Sequence, residues 1–139
     1  MLRQASLILP IRAAGPGLTE FTVSIRDFVR ESGLSTGLLT LFCRHTSASL
    51  LIQENAAGAV RRDLEAYFAR IAPEGDAYEH DDEGPDDMPA HLRTALTQTH
   101  LAIPVQGGEL LLGRWQGVYL FEHRRRASTR EIALHLVGE

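Results

Sequence analysis

The sequence predicts one α+β domain spanning residues 1–139, with strands set mostly antiparallel and two to three helices among them. Three observations predict it. A chain of 139 residues, 44% hydrophobic and 23% charged, has the length for one packed core and the composition of an ordinary globular protein. Short apolar stretches separated by turn residues, such as Gly15-Pro16-Gly17 and Gly107-Gly108, recur along the whole chain. Two segments, Val60–Ile71 and Met88–Thr99, instead repeat apolar residues at helical spacing.

Residues 3–11 read as a first strand, and Leu18 to Ile25 alternate as a second, with Phe21, Val23 and Ile25 on one face. Asp27 then caps a short helix through Ser32, which Gly33 closes. Leu38 to Cys43 is apolar on both faces, the pattern of a central strand covered on both sides. Thr46 to Glu54 forms a further strand. Asn55, the only asparagine, stands where a helix should begin. That helix carries Val60, Leu64, Tyr67, Phe68 and Ile71 on its apolar stripe and stops at Pro73. Asp86 or Asp87 caps the next helix, whose stripe is Met88, Leu92, Ala95, Leu96 and Thr99, with Pro89 in its first turn. Leu101–Val105, Glu109–Gly113 and Val118–His123 form a meander, and Ile132–Val137 closes the chain. Glu122 continues the Val118/Leu120 face, where a carboxylate needs a partner; Arg124, Arg125, Arg126 and Arg130 are the nearby cations.

Composition excludes several functions. A net charge of −4 argues against nucleic-acid or anionic-membrane binding. No apolar run approaches the roughly 20 residues of a spanning helix, and Met1-Leu2-Arg3-Gln4 starts no signal peptide, so a cytoplasmic location is expected. Cys43 is the single cysteine, which excludes an internal disulfide and a cysteine metal cluster. All 14 basic residues are arginine, so Schiff-base chemistry is excluded and His, Asp and Glu are left for proton transfer. Arginine must supply any phosphate recognition.

One stretch stands apart. Residues 73–87 hold eight of the 18 acidic residues and no basic one, and His80 to His91 sets five carboxylates between two histidines. Imidazole and carboxylate together suit a divalent metal, although the spacing matches neither HExxH nor an EF-hand. A solvated acidic loop is the alternative. Asp87 and His91 stand four apart, so their side chains can meet on one helical face. His45, just past the buried strand, is either a satisfied core residue or a functional one.

Together these segments resemble the YjbQ family, whose members are labelled secondary thiamine-phosphate synthase. The resemblance is carried by Leu41–Ala48, Glu54-Asn55-Ala56, Val60–Leu64, Asp87–Leu92, Leu112–Tyr119, Glu122, Arg130 and Gly138-Glu139. It implies a sandwich of mixed, mostly antiparallel β-sheets and a homotrimer with sites near subunit boundaries. It implies a divalent metal, zinc first and magnesium second, on His45, His80 and His91, with Asp87 and Ser47 supporting the ligands. Asn55, Gln116, Glu122 and Arg130 then form the catalytic surroundings for a small phosphorylated substrate. Two functions follow. One is an enzyme joining a hydroxymethylpyrimidine pyrophosphate to a thiazole phosphate, and the other a non-catalytic oligomer binding metal or small anions. The sequence departs from the family at Asp81-Asp82-Glu83 and at Arg124-Arg125-Arg126.

Overall fold

The computed structural model describes all 139 residues, in the order β1 (Arg3–Ala13), β2 (Gly17–Glu20), α1 (Thr22–Ser32), β3 (Gly37–Cys43), β4 (Ala48–Glu54), α2 (Gly58–Ile71), α3 (Asp87–Leu96), β5 (His100–Gln106), β6 (Glu109–Leu110), β7 (Gln116–Glu122) and β8 (Ser128–Gly138). Two sheets result, one ordered β1-β8-β3-β5-β6 and the other β2-β7-β4. Every strand pairing is antiparallel, so the expected mixture contains no parallel pair. The fold is α+β, as the alternation of strand and helix periods indicates.

The core lies between the sheets. β3 turns Leu39, Leu41 and Cys43 inward, β8 adds Ile132, Leu134 and Leu136, and β5 adds Leu101, Ile103 and Val105. Ala48 and Leu50 of β4 and Val118 and Leu120 of β7 meet them from the small sheet, and α1 closes one side with Ile25, Phe28 and Val29. This period-two inward pattern fixes the register, because a one-residue slip would turn each set outward. Gly138 sits so close to Thr36 that a Cβ there would lie 1.9 Å from the Thr36 carbonyl oxygen. Gly138 can therefore end β8 beside β3 only because it has no side chain.

Several expectations are corrected. The second strand stops at Glu20, and Thr22 to Ser32 is helix: Phe21, Ile25, Phe28 and Val29 are buried at helical spacing while Val23 is exposed. Asp27 is therefore an exposed mid-helix residue and no cap, although Gly33 does end the helix in the left-handed region at φ 72°. Asn55 does not cap α2, which begins at Gly58; its amide donates to Glu20 instead (3.3 Å). The α2 stripe is only partly covered, since the helix has no fully buried residue. α3 buries Asp87, Pro89, Ala90 and Thr94 rather than the Met88/Leu92/Leu96 stripe, and Leu96 is exposed. The strand expected over Glu109–Gly113 is only Glu109–Leu110. β3 is central, but Leu38 and Phe42 remain 43% and 49% exposed, so its outer face is bare.

Candidate metal centre

Two histidines converge on one carboxylate oxygen. The Asp87 carboxylate, 3% exposed at the start of α3, turns Oδ2 toward His80 Nε2 at 2.8 Å and His91 Nε2 at 3.1 Å. His91 stands one helical turn after Asp87, so α3 itself sets that pair. His80 comes from the loop before the helix. All three ligand atoms lie within 4.8 Å of one another.

The proton inventory makes the convergence informative. His91 Nδ1 lies 2.9 Å from the Thr46 carbonyl oxygen, which can only accept, so Nδ1 carries a proton. In the neutral ring Nε2 then presents a lone pair to a carboxylate oxygen. Two such atoms at 3.1 Å are stable together only with a proton or a cation between them. A backbone carbonyl that fixes the tautomer of a metal-binding histidine is the usual supporting contact at such sites. For comparison, ligand atoms around a tetrahedral zinc with bonds of about 2.1 Å stand about 3.4 Å apart. The donor set fits a divalent ion.

Charge supports the same carboxylate. Burial pushes the Asp87 pKa up, but hydrogen bonding from His80, the nearby His91 and Arg124 outweigh it and hold the carboxyl below its usual range. The Asp87 hydrogen bond raises the His80 pKa, with Asp82 and Glu83 adding to it. Arg124 takes the other Asp87 oxygen, Oδ1, at 2.6 Å, and also Asp86 Oδ2 at 3.0 Å and the Glu83 carbonyl at 2.9 Å. Asp86 is thus spent on Arg124 and the Arg125 backbone N–H, and makes no side-chain cap on α3. The arginine run thus anchors the acidic loop.

The remaining predicted residues lie elsewhere. His45 is outside the group: β3 ends at Cys43, and His45 Nε2 accepts the Glu131 backbone N–H at 2.8 Å. Its pKa is lowered by burial and then by Arg130, which suits that neutral acceptor. Asn55 and Gln116 sit at the opposite end of the small sheet, where Glu54 pairs with Gln116, whereas Ala48 pairs with Glu122. Six residues at about 3.3 Å each put those ends about 20 Å apart. Glu122 is fully buried beneath Arg130, which donates through Nε to Oε1 at 2.8 Å and through Nη2 to Oε2. Ser128 and the backbone N–H groups of His123 and Arg124 complete its shell. Burial alone would raise the Glu122 pKa; these donors reverse that and lower it. Arg130 Nη2 also reaches the Ser47 hydroxyl and carbonyl (3.0 and 3.1 Å). Glu122 therefore positions Arg130 and Ser47 and has no free oxygen for proton transfer.

A cleft of about 570 Å³ lies beside Arg124, lined by Ser47, residues 83–86, residues 124–128 and Arg130. Arg124 pairs with Asp86 and Asp87, and Arg125 pairs with Glu74, which leaves Arg126 as the cation of the run without an acidic partner. Sequence reasoning flagged the arginines only as charge; their division of labour depends on loop contacts about 40 residues apart in the chain.

The comparisons show the family and the fold. Residues 9–139 match the family described as UPF0047 protein YjbQ-like. This chain belongs to the YjbQ family. A UPF0047 protein of Synechocystis is 52% identical over 138 residues, covering 99% of this chain and 94% of its own. UPF0047 protein YjbQ of Escherichia coli O157:H7 is 40% identical over the full length of both. Among solved structures, a conserved hypothetical protein of Thermus thermophilus is 33% identical, with TM-score 0.80 over 92% of this chain and 97% of its own. A YbjQ-like protein of unknown function from Sulfolobus solfataricus, 21% identical, shares the fold at TM-score 0.92 over the whole of both chains. YjbQ-family membership covers nearly the whole chain, and no helix is long and apolar enough to cross a membrane.

One buried residue that the resemblance did not reach is His123. Its Nε2 meets Ser49 Oγ at 2.9 Å, and burial, then Arg93, depress its pKa to about 3. The unfolded ring protonates near 6.5, so between those values the unfolded chain binds more protons and stability is lost as the pH is lowered. About 2 kcal/mol should be gone by pH 5 from this group alone. Urea titrations at pH 7 and pH 5 should show that loss in the wild type and its disappearance in His123→Leu, measured against that variant's own pH 7 value.

Proposed function

We propose that this protein is a metal-dependent enzyme acting on a small phosphorylated substrate, with a thiamine-phosphate-synthase-like condensation as its reaction. The observation that carries the metal part is the His91 tautomer: with Nδ1–H given to Thr46, its Nε2 and that of His80 both face one Asp87 oxygen. His80, Asp87 and His91 would hold the ion, a set of two histidines and one carboxylate that leaves positions for substrate. Zinc is the ion such a set favours, and magnesium the less suited alternative. When bound, the ion would neutralise charge building on a leaving pyrophosphate.

The chain's own residues do the rest. Arg126, free of acidic partners, offers a planar fork to a phosphate entering the cleft. Ser47, held by Arg130, supplies a hydroxyl at the cleft floor. Arg124 holds Asp87 through Oδ1, so Oδ2 keeps its aim as substrate enters and leaves. The matched test is turnover of a pyrimidine pyrophosphate and a thiazole phosphate with and without zinc. Arg126→Ala should raise KM about 10- to 100-fold, the loss of one charge-assisted contact, with kcat changed much less. Zinc binding without turnover would leave the non-catalytic binding role.

The same proposal has the protein as a homotrimer with sites near subunit boundaries. The family resemblance suggests it, and the bare outer face of the large sheet, with Ile8, Leu38 and Phe42 exposed, supports it. Light scattering at micromolar concentration should give three times the 15.4 kDa chain mass. A clean monomer mass would end the idea.

A further inference from the structure

We infer that a second pocket, behind the arginine contacts, binds a small neutral molecule through a hydroxyl group. It has a volume of about 230 Å³ and lies between α2, α3 and the end of β7. Two residues that line it carry buried nitrogens without any partner, Arg93 Nε and His123 Nδ1. His123 is itself 2% exposed, so bulk solvent does not serve its ring. A chain of protons fixes what that ring offers. The Thr97 hydroxyl donates to the Arg93 carbonyl at 2.8 Å, which also accepts the Thr97 backbone N–H at 3.1 Å. Its one proton is thereby spent, so across the 2.6 Å contact Ser49 donates to Thr97 Oγ1. Ser49 Oγ then accepts from His123, whose Nε2 carries the single proton of the neutral imidazole. Nδ1 is left as a lone pair. The pocket therefore presents one acceptor, His123 Nδ1, and one donor, the Arg93 Nε–H, and leaving either unserved in a buried site is costly.

Charge and shape select the ligand. A carboxylate or phosphate would set an oxygen lone pair against Nδ1, and an ammonium group would meet the Arg93 guanidinium. The wall carboxylates, Glu74 and Asp86, are already matched by Arg125 and Arg124, so neither calls for a cation. A hydroxyl donates once and accepts as well, which answers both nitrogens. One water could do the same, but the volume is several times the roughly 30 Å³ that a water occupies. Pro16, Ala69 and Pro89 add apolar wall, which suits a hydrocarbon body behind the hydroxyl better than further water. Nothing in this site depends on the metal centre.

The test is a titration of 15N-histidine-labelled protein with cyclopentanol, against cyclopentanone, which has the same ring and no hydroxyl proton. The His123 Nδ1 resonance, assigned by its loss in His123→Asn, should shift saturably with the alcohol and not with the ketone. Half-saturation should be on the order of millimolar for so small a ligand. Arg93→Gln should weaken binding about 10- to 100-fold, as expected for one charge-assisted hydrogen bond. Ala69→Leu, on the exposed flank of α2, fills the apolar wall without touching either nitrogen and should abolish the saturable shift. An equal response to the ketone would overturn the proposal. No saturation by the alcohol at any soluble concentration would do so too, and would mean that the pocket holds water only. Wild-type affinity in Ala69→Leu, or in a folded Arg93→Gln, would count equally against it. If Arg93→Gln fails to fold, the ketone and Ala69→Leu arms decide.

Discussion

Replacing Arg130 by methionine should lower stability by about 3–5 kcal/mol, the cost of stranding a buried carboxylate. The side chain is 9% exposed and that of Glu122 fully buried, so solvent screens little of the interaction. Arg130 supplies two of the five donors around Glu122, and the others, from Ser128 and two backbone N–H groups, cannot supply the missing charge. The pH dependence should change sign. In the wild type the depressed Glu122 pKa contributes stability above the ordinary carboxylate range, and that is lost as pH falls through its folded value. Without Arg130, burial dominates and raises the pKa, so the variant should lose least near pH 4 and most near pH 8. A double variant, Glu122→Leu with Arg130→Met, should recover much of the loss because no buried charge remains. Chemical denaturation at both pH values measures this. A loss under about 1 kcal/mol in the single variant would mean water reaches Glu122 after all.

The sequence made part of this legible, and the parts differ for physical reasons. Glu122 stood out because strand alternation placed a carboxylate on an apolar face, and burial then demanded a cation. Which arginine answered was not legible, since Arg130 returns through β8 while Arg124, nearer in sequence, turns to Asp86 and Asp87. Asp87 and His91 were legible through helical spacing alone. The first part of the helix at 22–32 was read as strand because Phe21, Val23 and Ile25 also alternate, and only packing shows that Val23 points to solvent. His45 stands just past the end of β3, and only the family resemblance placed it with His80 and His91. The strand ends at Cys43, and the ring turns to the Glu131 N–H, a contact 86 residues away that no local pattern encodes. His123 matched no motif; its burial comes from the Ser49 and Thr97 contacts across sheet and helix.

The correction at His45 separates two metal sites experimentally. If His80, Asp87 and His91 hold zinc, His80→Ala and His91→Ala should each weaken binding by about 100-fold or more. That exceeds the 10- to 100-fold typical of residues that only orient a ligand. Asp87→Asn should match the histidine losses, because it removes the charge of a ligand rather than a supporting contact. An asparagine at a helix start would otherwise be nearly neutral, and Asp87 makes no cap here to preserve. His45→Ala should leave affinity nearly unchanged, since its Nε2 is engaged by Glu131 and lies outside the converging group. The pH profile adds an independent signature. Zinc must displace the proton that Asp87 holds on His80, whose pKa is raised, so affinity should begin to fall at a pH above 6.5, earlier than for an isolated imidazole. Calorimetry across pH 5.5–8 on the four variants measures both effects. Wild-type affinity in His91→Ala, or its collapse in His45→Ala, would move the ion away from Asp87.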